Sequence, residues 1–421
     1  MSRWLKQLAM ILGLLFALPG VLLVNGFLCL GLVSLVDPYS SDAFSGGMTA
    51  FMLAVLTLGG GGIVFWHSYQ AIKGNPSQPL RLPPAWVLAG IFGLVMVIGS
   101  VTGNEHVSTL FFPPTLALAA MLPPLAAVAW FADQKPGGVT WRRGQVAFVG
   151  GGTVGVFIAV ALEIILPLIV LALVFDFAQP TLARLESLFG SLADKNVAEA
   201  ITDPVFVYLF IQLVIIAPLA EEFAKSLITL PILGKLAHRD AFLVGALAGA
   251  GFATFENVLY AGFGVAFWAG ILLVRALGAA IHPLGAGLTA LAWRDVLLKQ
   301  PHAGQNWLLR FGAAVGMHAL WNGGSLLVIT LAGAQFFGHL PPELDVLGLS
   351  AAGTTLALLI MLGLAALWLG RSVPRQFETE RGQAEAVSQF IISNRAAAIW
   401  GLTCLAAIVP AGIAGLQLLV R

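Results

Sequence analysis

Long apolar runs alternate along this chain with short polar connectors. A helix needs about 20 apolar residues to cross a bilayer core. Runs of that kind are predicted over 8–36, 44–71, 84–102, 108–131, 145–175, 204–234, 241–262, 264–293, 307–331, 346–369 and 397–419. The first follows Met1-Ser2-Arg3-Trp4-Leu5-Lys6. It is longer than the roughly 7–15-residue apolar core of a cleaved signal peptide, so it is expected to stay as a span. The pattern predicts an all-α polytopic membrane bundle of about eleven helices, with no soluble domain and no internal repeat.

The connectors give an orientation. Lys and Arg gather in alternate loops: Arg3 and Lys6; Lys73 and Arg81; Lys135, Arg142 and Arg143; Lys235 and Arg239; Arg294 and Lys299; Arg371, Arg375, Arg381 and Arg395. The opposite loops at 37–43, 103–107 and 334–345 carry none. The positive-inside rule then puts the N-terminus in the cytoplasm and the C-terminus outside a multi-pass cell membrane. The longest outside loop, 176–203, has Leu182, Leu185, Leu188, Phe189 and Leu192 at helical spacing. It reads either as an amphipathic helix on the membrane surface or as a connector packed on the bundle.

Composition agrees. The 421 residues are 59% hydrophobic and 10% charged, with mean hydropathy +0.92, against about 25% charged residues in soluble domains. The lipid bilayer is therefore the surroundings of most of the chain. A net charge of +1 without a basic stripe argues against a nucleic-acid partner. Cys29 and Cys404 lie in apolar runs and make neither a disulfide framework nor a metal knuckle.

Ionisable side chains inside a span cost about 2.5–3.5 kcal/mol each on insertion scales. Four consecutive spans hold most of those in this chain. Lys225 lies three residues after Glu222 and four after Glu221, so it can reach either carboxylate. The two acids point about 100° apart around the helix, which suggests one paired with Lys225 and one free to act. Glu256, Asn257 and Tyr260 follow on the next span, after Gly245, Gly249 and Gly251, which allow helices to approach closely. Arg275 and His282 share the third, and His318 and Asn322 lie one turn apart on the fourth. Glu163 and His67 are isolated and read as structural. Carboxylates and imidazoles in a water-accessible pocket can activate water against a peptide bond, or hold a metal. The HExxH of zinc proteases does not occur.

These residues resemble the PrsW family of intramembrane proteases, which is related to the type II CAAX prenyl proteases. Glu221-Glu222-x-x-Lys225 looks like the family's EExxK, and Phe252-x-x-x-Glu256-Asn257 like its FxxxEN. His318 fits the later essential histidine, His318-x-x-x-Asn322 the HxxxN of the wider superfamily, and His282 an intervening histidine. Lys225 and Glu256 favour the PrsW branch over the CAAX branch.

The resemblance implies cleavage of a membrane-protein substrate, as in the first cut of a single-pass anti-sigma factor. It implies a catalytic core at 204–331 between membrane regions 1–203, of five spans and an outside loop, and 332–421, of two spans. Two mechanisms fit it. In a glutamate-type mechanism Glu221 or Glu222 is the base, His318 and Asn322 stabilise the oxyanion, and Glu256 and His282 position water. In a metalloprotease Glu256, His282 and His318 hold a divalent metal such as zinc, with Glu221 as base. The competing classes are an ion-coupled transporter, which also buries charges at the midplane, and a non-catalytic scaffold that binds a partner helix.

Overall fold

A computed structural model describes residues 3–37, 41–102, 108–133, 138–174, 204–336, 342–377, 395–396 and 398–401. Among these residues the regular structure is helical. In lipid the backbone must satisfy its own hydrogen bonds, and an uninterrupted apolar run does so as a helix. Nine helices among the described residues are long and apolar enough to cross a membrane: Arg3–Val36, Ala43–Ile72, Ala85–Thr102, Thr109–Ala132, Trp141–Pro167, Val207–Leu227, His238–Gly262, Ala303–Leu331 and Gly348–Arg375. A bent pair, Val265–Leu277 with Ile281–Leu297, makes a tenth. The protein is thus an all-α polytopic membrane bundle. The expected span at 397–419 and the outside loop at 176–203 lie outside the described residues, apart from 398–401 at the head of that span.

In chain order the helices are α1 (Arg3–Val36), α2 (Ser41–Ala54), α3 (Gly61–Ile72), α4 (Ala85–Thr102), α5 (Ser108–Ala132), α6 (Trp141–Gly150) and α7 (Val156–Val174). Then come α8 (Pro204–Ile211), α9 (Ala217–Leu227), α10 (Leu230–Leu233), α11 (His238–Phe263), α12 (Trp268–Leu277), α13 (Ile281–Leu297), α14 (Ala303–Phe336) and α15 (Pro342–Arg375). Single π-helical segments at Val55–Gly60, Gly151–Gly155 and Gln212–Ile216 join α2 to α3, α6 to α7 and α8 to α9. Each of these pairs reads in the sequence as one continuous run.

The span 264–293, expected to be one helix, is instead two, bent by 42° where Gly278, Ala279 and Ala280 interrupt it. Gly278 sits under the Trp321 indole, and a Cβ there would lie 2.4 Å from that ring. The break is therefore packed against α14 rather than open to lipid.

The centre of the bundle is α11. In its most apolar stretch 78% of the residues are buried, against 17–22% for α1, α4 and α15. Small residues let its neighbours come close. A Cβ on Gly249 would lie 2.3 Å from the His282 carbonyl of α13, and one on Gly245 2.5 Å from the Ala286 carbonyl. On the other side, a Cβ on Gly151 would meet the Ala248 carbonyl at 1.9 Å, and one on Gly251 the Phe148 carbonyl at 1.8 Å. The close approach expected of Gly245, Gly249 and Gly251 is the seam on which α6, the Gly151–Gly155 segment, α11 and α13 meet.

Candidate active site

The second carboxylate of the pair on α9 is fully buried and the first nearly so. Lys225, one turn on, has no exposure at all, and its ammonium takes three acceptors. Nζ lies 3.0 Å from Glu221 Oε2, 2.8 Å from Glu222 Oε1 and 2.6 Å from His282 Nδ1. The expectation that one acid pairs while the other stays free is corrected here. The lysine sits between the two directions in which the acids point, and its long chain bridges both. The Phe252 ring lies 4.4 Å from the same ammonium, closing a cage around it.

The hydrogen bonds fix both histidine tautomers. A lysine ammonium only donates, so His282 Nδ1 accepts, and Nε2 carries the proton toward Glu256 Oε2, 3.1 Å away. That same Oε2 accepts from Arg275 Nη2 at 2.8 Å. For His318, Nδ1 faces Glu222 Oε1 at 3.0 Å, an oxygen that already accepts from Lys225. Nδ1 is therefore the donor, and Nε2 keeps its lone pair. Nε2 has no hydrogen-bond partner among the described residues, and neither does Glu222 Oε2. The two imidazole rings meet edge to face at 4.6 Å.

The result is two carboxylate–imidazole dyads, Glu256–His282 and Glu222–His318, which present their lone pairs to one place. Glu221 Oε2 is there too, 4.0 Å from His282 Nδ1 and 3.7 Å from His318 Nε2. Donor atoms of Glu221, His282 and His318 all lie within 4.8 Å of one another, so this triple could hold a metal ion. The unpartnered, buried Nε2 of His318 fits a ligand role, and a carboxylate behind each histidine is the usual support for one. In this triple Glu221 stands where Glu256 was expected. Glu256 lies behind His282, turned toward Arg275, because α12 brings that guanidinium onto it.

Asn257 and Asn322 face away from this centre. Asn257 Nδ2 donates to the Ala120 carbonyl of α5 at 2.9 Å, and its Oδ1 accepts from Arg275 Nε. Asn322 Nδ2 donates to the Leu213 carbonyl at 2.9 Å, inside the π-helical segment before α9. The carboxamide expected beside the oxyanion is thus bonded to backbone. Tyr260 lies under the Arg275 guanidinium, 4.7 Å from its ring centre. His67 hydrogen-bonds Gln145, far from the site, as a structural group.

Glu163 was read as isolated in the sequence, and the packing brings it in. It interacts electrostatically with Glu221, Glu256 and Lys225. Ala159, one turn before it on α7, is buried against Ala224 and Phe252 in one cluster. Gln212 Nε2 donates to the Glu163 carbonyl at 3.2 Å. Its only trace in the sequence is a lone acid in an apolar run. Nothing local says which helix that run packs against.

Fold and site together define a polytopic membrane protein with a buried carboxylate–imidazole centre among its spanning helices. Residues 140–348 match the model of the PrsW family intramembrane metalloprotease, and through them the chain belongs to that family of intramembrane proteases. The same comparison made with curated proteins and with solved structures finds no match.

Proposed function

We propose that this protein is an endopeptidase that cuts a single-pass membrane protein within or beside the bilayer, with Glu221 at the reacting centre. An anti-sigma factor cut at its first site is the substrate type that the family suggests. The observation that carries the reading is the convergence of two carboxylate–imidazole dyads on Glu221 Oε2 in a nearly water-excluded pocket. Such a pocket strengthens every charge interaction made in it.

In the chain's own chemistry Glu221 takes a proton from water as the water attacks the scissile carbonyl, and gives it to the leaving nitrogen as the tetrahedral intermediate collapses and the C–N bond breaks. His318, held by Glu222, donates to the developing oxyanion after a proton reaches Nε2, or positions the water through its lone pair. His282 and Glu256 hold the other wall, and Lys225 offsets the negative charge of Glu221 and Glu222. A divalent ion such as zinc, held by Glu221, His282 and His318, would supply Lewis acidity toward carbonyl and water. Glu221 would then serve as a ligand rather than as the base.

The catalytic unit is proposed at 204–331, with the spans of 1–203 and 332–421 around it. A cytoplasmic N-terminus and an outside C-terminus in the cell membrane complete the proposal. The placement of the Lys- and Arg-bearing loops at one membrane boundary gains support from exposed Trp4, Trp66, Trp86, Trp130, Trp141 and Trp368. All six lie near helix ends that adjoin the Lys- and Arg-bearing loops, as anchors at a membrane–water boundary do.

The test is cleavage of tagged single-pass membrane proteins by purified protein in lipid nanodiscs, beside Glu221→Gln and His318→Ala. A fragment made by wild type and lost in both folded variants supports the protease. If no candidate is cut and both variants keep normal function in cells, the reading falls.

A further inference from the structure

We infer that Lys225 is a built-in competitor for the metal position: its ammonium and a divalent cation are alternative occupants of the same three-sided pocket. The inference deepens the reading of this centre as hydrolytic and rests on it for its catalytic consequence. Its own basis is geometric.

The donor triple is Glu221, His282 and His318. Two of those three residues are already spent on Lys225, Glu221 through Oε2 at 3.0 Å and His282 through Nδ1 at 2.6 Å. An incoming ion needs the single lone pair of His282 Nδ1, which cannot serve an ion and an N–H donor at once, whereas the Glu221 carboxylate has sites for both. His282 has no spare atom to offer, because Nε2 is committed to Glu256. His318 Nε2 is free of a hydrogen-bond partner among the described residues. A cation can therefore enter fully only if the ammonium lets go of His282.

The pocket also provides a place for the displaced ammonium. Glu222 is not in the triple, it already holds Nζ through Oε1 at 2.8 Å, and its Oε2 is buried without a partner among the described residues. Lys225 can thus retreat onto both oxygens of Glu222 with its charge intact. The exchange brings the ion's charge to Glu221 and keeps the ammonium on Glu222. It keeps the buried acids compensated whether or not an ion is bound, which an acid pair without a lysine would not be. On this reading Lys225 stabilises the ion-free protein and weakens ion binding at once.

The consequence has an unusual sign. A residue that merely supports the site would weaken ion binding when removed, whereas removing a competitor strengthens it. The experiment is a zinc titration of full-length protein in nanodiscs, stripped with chelator and read against a chromophoric zinc chelator. Wild type is compared with Lys225→Met, Lys225→Gln, Lys225→Arg and His282→Ala, each first shown to be monodisperse.

Lys225→Met is expected to bind zinc about tenfold more tightly than wild type or better, the range of an ordinary coupling between two occupants. Lys225→Gln, a second variant should the methionine fail to fold, is expected to move the same way. Lys225→Arg keeps the charge and is expected to bind no more tightly than wild type. His282→Ala is expected to lose the site. Equal or weaker binding by the methionine and glutamine variants overturns the inference, as does zinc binding that survives in His282→Ala or is absent throughout. None of these results depends on proteolysis. If zinc behaves as expected while no substrate is cut, the protease reading fails alone; cleavage without the zinc pattern fails the competitor alone.

Discussion

Substituting Gly249 by alanine tests whether the α11–α13 seam sets the geometry of the site. The new Cβ would lie 2.3 Å from the His282 carbonyl oxygen, 2.8 Å from its carbonyl carbon and 2.8 Å from Ala286 Cβ. Ordinary contact begins near 3.4 Å. The obstacle is backbone of α13 rather than the end of a flexible side chain, so the helices must part by about 1 Å, a displacement that can cost about 10²-fold in rate. Glu256 moves with one helix and His282 with the other, and the 3.1 Å contact between them holds the His282 ring from behind. Overpacking of this kind also costs about 1–3 kcal/mol of stability. The assay is kcat/KM for a tagged single-pass substrate in nanodiscs, with thermal unfolding measured in parallel. Gly316→Ala is the control: it lies two residues before His318, and a Cβ there meets nothing within 4 Å. Alanine favours a helix over glycine by about 1 kcal/mol, so this control should be neutral or slightly stabilising. If Gly249→Ala cleaves like wild type and unfolds at the same temperature, the seam does not position the dyad.

Two further predictions follow from hydrogen bonds away from the centre. Asn322→Ala frees the Leu213 carbonyl and should lower stability by about 1–3 kcal/mol while cleavage falls by less than about tenfold. A loss of about 10²–10³ in kcat at unchanged stability would instead restore Asn322 as an oxyanion donor. At the polar end of the bundle, hydrogen bonding from Arg375, joined by the charges of Arg371 and Arg375, holds the Asp133 carboxyl below its ordinary value of 3.8. Arg375 Nη2 donates to Asp133 Oδ2 at 2.7 Å, so the carboxylate ties α5 to α15. A folded value below the unfolded one means that this stabilisation is complete above pH 3.8 and is lost as pH falls through the lowered folded value. Asp133→Asn should therefore melt below wild type near neutral pH, with the gap closing in acid; a gap that stays constant with pH refutes the assignment.

Much of the architecture could be read from the chain because lipid narrows the choices. An apolar run of bilayer length has little option but to be a helix, and ten of the predicted spans appear among the described residues. The cluster was legible for the same reason: Glu221, Glu222, Lys225, Glu256, His282 and His318 are costly in a span and drew attention by cost alone. What stayed hidden depends on distances between helices. One-turn spacing places His318 and Asn322 on one face, but it cannot say that the π-helical segment offers the Leu213 carbonyl to the second of them. Angular separation sets Glu221 and Glu222 apart, yet a four-carbon stem between them reaches both.

The choice between Glu221 and Glu256 as the third donor shows where pattern reading ends. Both are membrane acids on neighbouring spans, and both lie beside His282. Arg275 decides between them, and it can do so only because α12 ends where Gly278 meets Trp321. The bend there separates α12 from α13 and lets the guanidinium come over Tyr260 onto Glu256 and Asn257. With Glu256 held behind His282, the lone pair of Nδ1 faces the Lys225 ammonium, on the same side as Glu221. Which carboxylate joins the two histidines in the donor triple is therefore set by a helix break outside the recognised motifs.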